Sequence, residues 1–338
     1  MHVQLAARAS EPPGMQRGSA AYNAVLSRIR RFARDDTAPI LLQGESGTGK
    51  TRLARLIHEL SPRAAGPFRH VILSAMDDGV AASELFGHVR GAFTDARQAR
   101  IGQFASANGG TLFLDEIGKA SPAVQARLLD VVESGRFSPL GSDRELCVNV
   151  RIVAATNIDL EELVERRQFL RDLRARLATF RIVVPPLRKR RADIPMLASE
   201  CVARHAASAG YANGPPAIDP RLMAALRRAR WPDNIRQLDA TVHRLLLEAD
   251  GAPIITLAHC LDDLAFLVTR GVDGAGLTLE QIDRAVATGG GLSGAGRLLG
   301  MNRKTLRMKR EKLRGGASQL DAGDPGGMPQ QGDVVAGH

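Results

Sequence analysis

No stretch of about 18 consecutive apolar residues occurs in the chain, which argues against a membrane-spanning helix. The N-terminus, MHVQLAARASEPPG, lacks the apolar core of a secretion signal. Cysteine is scarce. Cys147, Cys201 and Cys260 lie far apart and form no CxxC pair, which argues against a disulfide framework or a cysteine zinc site and suits a reducing compartment. The expected location is the cytoplasm. Internal repeats are absent, and the expected N-terminal extension, 1–17, is too short for a sensory domain.

What is present is ordinary globular composition, 44% hydrophobic and 24% charged, over 338 residues, a length that suggests two or three domains. The formal net charge is +10, and its location matters more than its size. Between Arg297 and Arg314 eight Lys or Arg residues face one Glu. A basic patch focused in one late segment points to a polyanion, with nucleic acid ahead of a membrane surface.

Apolar runs at Pro39–Gln43, Val71–Ser74, Thr111–Leu114, Arg151–Thr156 and Arg181–Val184 alternate with stretches of helical spacing. One of these follows Ser121-Pro122, a good helix start. Alternating strands and helices predict an α/β fold, a mostly parallel sheet covered on both faces, over 18–185. Strand signals then stop, and 186–267 is predicted to be an all-helical subdomain. A Gly-rich linker (268–276), a compact helical unit (277–314) and a tail with little to bury (315–338), expected to be disordered, complete the chain.

Gly44, Glu45, Ser46, Gly47, Thr48, Gly49, Lys50 and Thr51 fit the P-loop pattern between an apolar strand and a helix. Glycines at this spacing let backbone N–H groups turn inward and cradle phosphates at a helix N-terminus. Lys50 would reach the β- and γ-phosphates of ATP, and Thr51 would offer its hydroxyl to Mg²⁺. A second apolar run, Thr111–Leu114, ends in Asp115 and Glu116. An acidic pair after a strand is more often a cap or surface turn. Downstream of a P-loop, a catalytic pair is the favoured reading: Asp115 on Mg²⁺, Glu116 as general base on water. Asn157 ends the next strand and could orient water or the γ-phosphate; alone it reads as a strand-end turn residue.

With these residues in place, the chain resembles the AAA+ domain of sigma-54-interacting transcription activators from about Gly18 to Leu267. The resemblance rests on GESGTGK (Gly44–Lys50), SELFGH (Ser83–His88), GAFTDA (Gly91–Ala96) and GGTLFLDEIG (Gly109–Gly118). It continues through AATN (Ala154–Asn157), PPLRKRRADIP (Pro185–Pro195) and WPDNIRQL (Trp231–Leu238). It implies an AAA+ P-loop sheet followed by an all-α lid, and a homo-oligomeric ring, usually a hexamer, with ATP between subunits. It implies a nucleotide-sensing role for Arg236. The family's trans-acting arginines lie in an FRxDLxxRL segment. Here Arg176 matches the second, and Leu170 stands at the first with Arg171 beside it.

The resemblance further implies that Gly91, Ala92, Phe93, Thr94, Asp95 and Ala96 form the loop that contacts sigma-54, with Asp95 where the family pattern GAFTGA has glycine. Ser74 aligns with an asparagine that in the family restrains the catalytic glutamate, and Thr51 stands where Glu is common. Residues 277–314 resemble the Fis-type helix-turn-helix of the same activators. A first helix ends near Gly300, Met301-Asn302 turns, and Arg303, Arg307, Arg310 and Arg314 form one stripe beside Leu306 and Leu313. Arg303, Lys304 and Arg307 would read bases and Arg310 would touch phosphate in double-stranded DNA.

The leading expectation is an ATP-driven activator of sigma-54 RNA polymerase, bound upstream on DNA. A second keeps ATPase and DNA binding but replaces activation by repression or sigma-54-independent control, because of Asp95. A third, a non-catalytic DNA-binding scaffold, conflicts with the presence of Lys50, Asp115 and Glu116.

Overall fold

The structure, a computed structural model, describes residues 18–75, 77–93, 96–209, 211 and 214–259. In the C-terminal part it describes 282–283, 286–287, 291–292, 295, 306–308 and 310–311. The expected extension, linker and tail, and most of the expected DNA-binding unit, lie outside the described residues. The chain divides into two units, Met1–Arg227 with Trp231–Ile255, and Arg228–Arg230 with Thr256–His338.

In the first unit five strands form one parallel sheet: β1 (Ile40–Gln43), β2 (Phe68–Ile72), β3 (Thr111–Asp115), β4 (Arg151–Thr156) and β5 (Phe180–Val183). Their order is β2-β3-β4-β1-β5. The three inner strands are almost continuously buried, as expected of a sheet covered on both sides. Alternate residues feed two cores. Leu41, Leu112, Leu114, Ile152 and Ala154 pack on one face. Ile40, Leu42, Phe113, Val153 and Ala155 pack on the other, against α1 (Ala20–Ala33) and α2 (Lys50–Glu59). The first face is covered by α3 (Asp78–Phe86), α4 (Pro122–Ser134), α5 (Leu160–Glu165) and α6 (Arg171–Leu177). This three-layer arrangement is the α/β fold expected.

The edge strand β2 differs from the expected run at Val71–Ser74. Arg69 and His70 are exposed on it, so its polar half carries no apolar signal, while Leu73–Ala75 is a 3₁₀ turn. Local chemistry explains the start of α4. The Ser121 hydroxyl accepts from Val124 N–H at 3.4 Å, Pro122 occupies the first turn, and Gly135 ends the helix at φ 69°. Such an N-cap is worth about 1 kcal/mol.

After β5 the chain becomes helical: α7 (Ile194–Ser208), α8 (Pro220–Arg228) and α9 (Asn234–Glu248). One two-residue parallel ladder, Ala217–Ile218 with Ile254–Ile255, interrupts this otherwise helical stretch. Trp231, fully buried before α9, donates its indole N–H to Leu226 O at 2.8 Å. In the second unit Ile282, Ala295 and Leu306 are buried together, with Val286 and Leu292 against them.

Candidate active site

The P-loop runs from the C-terminal end of β1 into α2, at the sheet edge where a parallel sheet collects ligands. Gly49 at φ 98° turns the backbone into the helix, a conformation glycine adopts freely. Lys50, the first residue of α2, is 8% exposed and donates from Nζ to the carbonyls of Gly44 (2.8 Å) and Glu45 (3.1 Å). Burial pushes its ammonium below the ordinary range, with the charges of Asp115 and Glu116 pulling the other way. Thr48 braces the loop from inside, its hydroxyl donating to Glu45 O at 2.8 Å.

β3 neighbours β4, and β4 neighbours β1, so the end of β3 faces the P-loop across one strand. The Thr51 hydroxyl approaches Asp115 Oδ2 at 3.5 Å. Burial works to raise the Asp115 carboxyl. The nearby His70 ring, the N–H of Glu116 at 3.0 Å and the Lys50 charge outweigh it and hold the group below the usual carboxylate range. His70 Nε2 lies 3.7 Å from Asp115 Oδ2, its ring stacked on Phe113. Nothing in the sequence singled out His70.

Glu116 takes a left-handed backbone, φ 57° and ψ 41°. Lys119 first, then the Ser74 hydroxyl, hold its carboxyl below the ordinary value. Asn157 is exposed just beyond β4, whose last residue, Thr156, accepts from Gly44 N–H at 3.1 Å. Lys50, Thr51, Asp115, Glu116 and Asn157 thus share one edge of the sheet.

The lid closes on this edge through α9. Arg236 Nη1 donates to the Ser46 hydroxyl at 2.8 Å, and Ile235 N–H to Gly47 O at 2.9 Å. Buried Asn234 (φ 54°) accepts from Leu187 N–H at 2.7 Å and donates to Ser46 O at 2.9 Å. A Cβ on Gly47 (φ 72°) would stand 2.1 Å from Asp233 O, so only glycine permits this approach. The side chain of Glu45, in the expected nucleotide-binding loop, is engaged by the lid. Arg188 grips it with two hydrogen bonds, 2.7 and 2.6 Å, and Asn234 with a third at 3.2 Å. Arg188 and Asn234 lie within the PPLRKRRADIP and WPDNIRQL segments, but their partners stand too far along the chain for spacing to assign them a role.

Arg176 is not brought to this edge. Arg176 borders a 300 Å³ hollow with Thr37, Pro39, Asn149 and Ile152, where strands β1 and β4 begin, and pairs with Glu133 at 2.9 Å. Arg171 opens α6, beside exposed Leu170.

In the expected contact loop, Phe93 is 45% exposed and meets the His88 ring edge-on at 4.9 Å. The loop is pinched at its base: Gly91 N–H donates to Ala96 O at 2.8 Å, and Ala96 N–H to Phe93 O at 2.9 Å. His88 bridges the Ser83 hydroxyl (2.8 Å) and Gln98 O (2.9 Å). Ala92 packs under Gly141, where a Cβ would approach Ala92 Cβ to 2.8 Å. Thr94 and Asp95 lie outside the described residues.

Of the expected DNA contacts, Arg303 and Lys304 also lie outside them. Arg307 is exposed and pairs with Glu311 at 2.9 Å. Arg310 is more enclosed and pairs with Asp283. Among the described residues, no helix is long and apolar enough to cross a membrane.

Residues 15–183 match the sigma-54 interaction domain, and 188–266 match the AAA+ ATPase lid domain. The Nif-specific regulatory protein of Rhodobacter capsulatus is 44% identical over 246 residues, covering 72% of this chain and 41% of that protein. The transcriptional regulatory protein ZraR of Klebsiella oxytoca is 39% identical over 310 residues, covering 88% and 68%. Against the Nif-specific relative, the chain spans less than half of its length. Among solved structures, NtrX from Brucella abortus in complex with ADP superposes with a TM-score of 0.68 at 30% identity, covering 88% of this chain and 69% of NtrX. NtrX has also been solved with ATP.

Proposed function

Because the chain belongs to the sigma-54 interaction family of AAA+ ATPases, we propose that it is a DNA-bound transcription regulator that hydrolyses ATP in a homo-oligomeric ring, a hexamer, to remodel sigma-54 RNA polymerase into the open complex. The observation that carries this reading is the meeting of Lys50, Thr51, Asp115 and Glu116 at one sheet edge, under a lid that reaches the same loop through Arg236.

The P-loop N–H groups and Lys50 bind the phosphates, and NtrX, similar over 88% of this chain, is solved with both ADP and ATP. Among the described residues no three His, Cys, Asp or Glu side chains converge to hold a metal by themselves. Thr51 and Asp115, 3.5 Å apart, fit Mg²⁺ as a protein pair to which phosphate oxygens and water add the remaining ligands. When bound, Mg²⁺ neutralises charge on the transferred phosphoryl group. Glu116 accepts the proton of the attacking water, and Asn157 orients it. Arg236 reports nucleotide to the lid. Arg176 serves the site of a neighbouring subunit, because it lies where the strands begin, and Arg171, beside Leu170 at the start of the same helix, is the candidate for a second arginine. A guanidinium placed there stabilises charge developing on the γ-phosphate. Phe93 and Thr94 engage sigma-54. Arg303, Lys304 and Arg307 meet DNA, and Arg310 reaches phosphate only from beside its Asp283 pairing.

The test is open-complex formation by sigma-54 RNA polymerase with ATP, on a promoter carrying the protein's mapped upstream site. Opening that requires ATP and disappears in Thr94→Ala supports the proposal. Hydrolysis without opening, beside an active polymerase control, replaces it with sigma-54-independent control or repression.

A further inference from the structure

Two guanidiniums border the hollow where β1 and β4 begin, and they differ in what they are free to do. Arg63 is buried and tied in place. Its Nε donates to Asp36 O at 2.8 Å, Nη1 to Asn149 O at 2.9 Å and Nη2 to Asn149 Oδ1 at 2.6 Å. Arg176 is 62% exposed, and its guanidinium makes one hydrogen bond among the described residues, from Nε to Glu133 Oε1 at 2.9 Å. Burial fixes the root of each partner. Arg176 sits in the last turn of α6 beside fully buried Leu177, and Glu133 in the last turn of α4, just after buried Val131. Leu128, Val131, Leu173 and Leu177 belong to one core, which holds the two helix ends together. The Thr179 hydroxyl donates to Arg176 O at 2.9 Å and closes the end of α6.

We propose that Glu133 is a positioning residue for Arg176, gripping the guanidinium at Nε so that both terminal nitrogens face the γ-phosphate in a neighbouring subunit's site. The inference rests on Arg176 acting in trans. An ion pair at its strongest joins a carboxylate to two guanidinium N–H groups at once. This contact uses Nε alone, so Nη1 and Nη2 stay available for two phosphate oxygens. An arginine that rotates freely must be ordered when it meets the phosphate, and one already held has less freedom to lose. The pair is exposed, which keeps the effect small: losing Glu133 should lower turnover about two- to fivefold, whereas losing Arg176 removes the guanidinium itself. Glu133 takes part in none of the P-loop or lid contacts described above, so a chain's own grip on ATP should not depend on it.

The experiment mixes two variants of the full chain, each inactive by itself. Glu116→Gln keeps Arg176 but lacks the general base, and Arg176→Ala keeps the base but offers its neighbour no guanidinium. In mixed rings the intact Glu116 of one subunit meets the Arg176 of the next, so ATP hydrolysis should reappear. Glu133→Ala is then placed in one component at a time. In the component that donates Arg176 it should lower the recovered kcat about two- to fivefold, with KM for ATP unchanged. In the component that lacks Arg176 it should change nothing. Glu133→Gln in the donor, whose amide oxygen still accepts from Nε, should keep the recovered rate. An undiminished kcat with Glu133→Ala in the donor overturns the proposal. Equal losses in both placements overturn it too, because Glu133 then acts on folding or assembly and not through Arg176. If the mixture stays inactive, or if Arg176→Ala alone turns over like wild type, the trans role of Arg176 falls and the positioning role with it.

Discussion

Arg236, on the first turn of the lid helix α9, donates to the hydroxyl of Ser46 in the P-loop at 2.8 Å, across 190 residues of sequence. Its charge also acts on Lys50. The lid therefore places a cation within reach of the phosphate-binding loop. Replacing Arg236 by alanine should weaken ATP binding about tenfold, a loss of about 1.4 kcal/mol. Titration with a fluorescent nucleotide would check this, and an unchanged affinity would remove Arg236 from the site.

Gly47 and Gly109 offer a controlled comparison. Both have positive φ, 72° and 78°, but a Cβ at Gly47 meets Asp233 O at 2.1 Å while one at Gly109 meets nothing within 4 Å. Gly109→Ala should cost about 1 kcal/mol for the backbone alone, and Gly47→Ala clearly more, because the lid must also retreat. Urea unfolding of the two variants gives the difference. Equal losses would mean that the lid does not press on the loop.

The Arg188–Glu45 grip should show in the pH dependence of stability. Arg188 holds the Glu45 carboxyl below its ordinary 4.5. A depressed folded value means the contribution is present above about pH 4.5 and is lost as pH falls through the folded value. With both side chains 40% exposed the pair should be worth less than about 1 kcal/mol. Melting curves of wild type and Arg188→Ala should differ slightly at pH 7.5 and converge towards pH 3.5. A gap that widens in acid would contradict the assignment.

The thiols should react unequally. Burial, reinforced by Asp239, pushes the Cys201 thiol up to about 12, whereas Cys147 is exposed. At pH 8 roughly one Cys201 in ten thousand is a thiolate. Peptide mapping after brief alkylation should find Cys147 modified and Cys201 intact until the protein is unfolded. Rapid native labelling of Cys201 would show that the α7–α9 packing opens easily.

The parts of the molecule legible in the sequence are those written in local chemistry. The P-loop announces itself because backbone N–H groups can converge only where glycines are spaced as at Gly44, Gly47 and Gly49, and α4 because Ser121 and Pro122 are a start signal. The inner strands are legible because both of their faces are buried. The edge strand β2 is less so, since Arg69 and His70 interrupt its apolar pattern, and His70 gains meaning only by standing next to Asp115. Glu45 is legible as part of its loop, but its partner Arg188 is 143 residues away, and no spacing rule reaches that far. Lys119 reads as an ordinary surface lysine until the left-handed turn at Glu116 points it backwards.

Arg176 stands where the strands begin, and the P-loop where they end. On the proposed role of Arg176, each copy then owns half of two catalytic centres and the whole of none. Hydrolysis under those terms is a census: turnover per chain climbs with the abundance of the chain itself, and a sparse population stays silent however much ATP surrounds it.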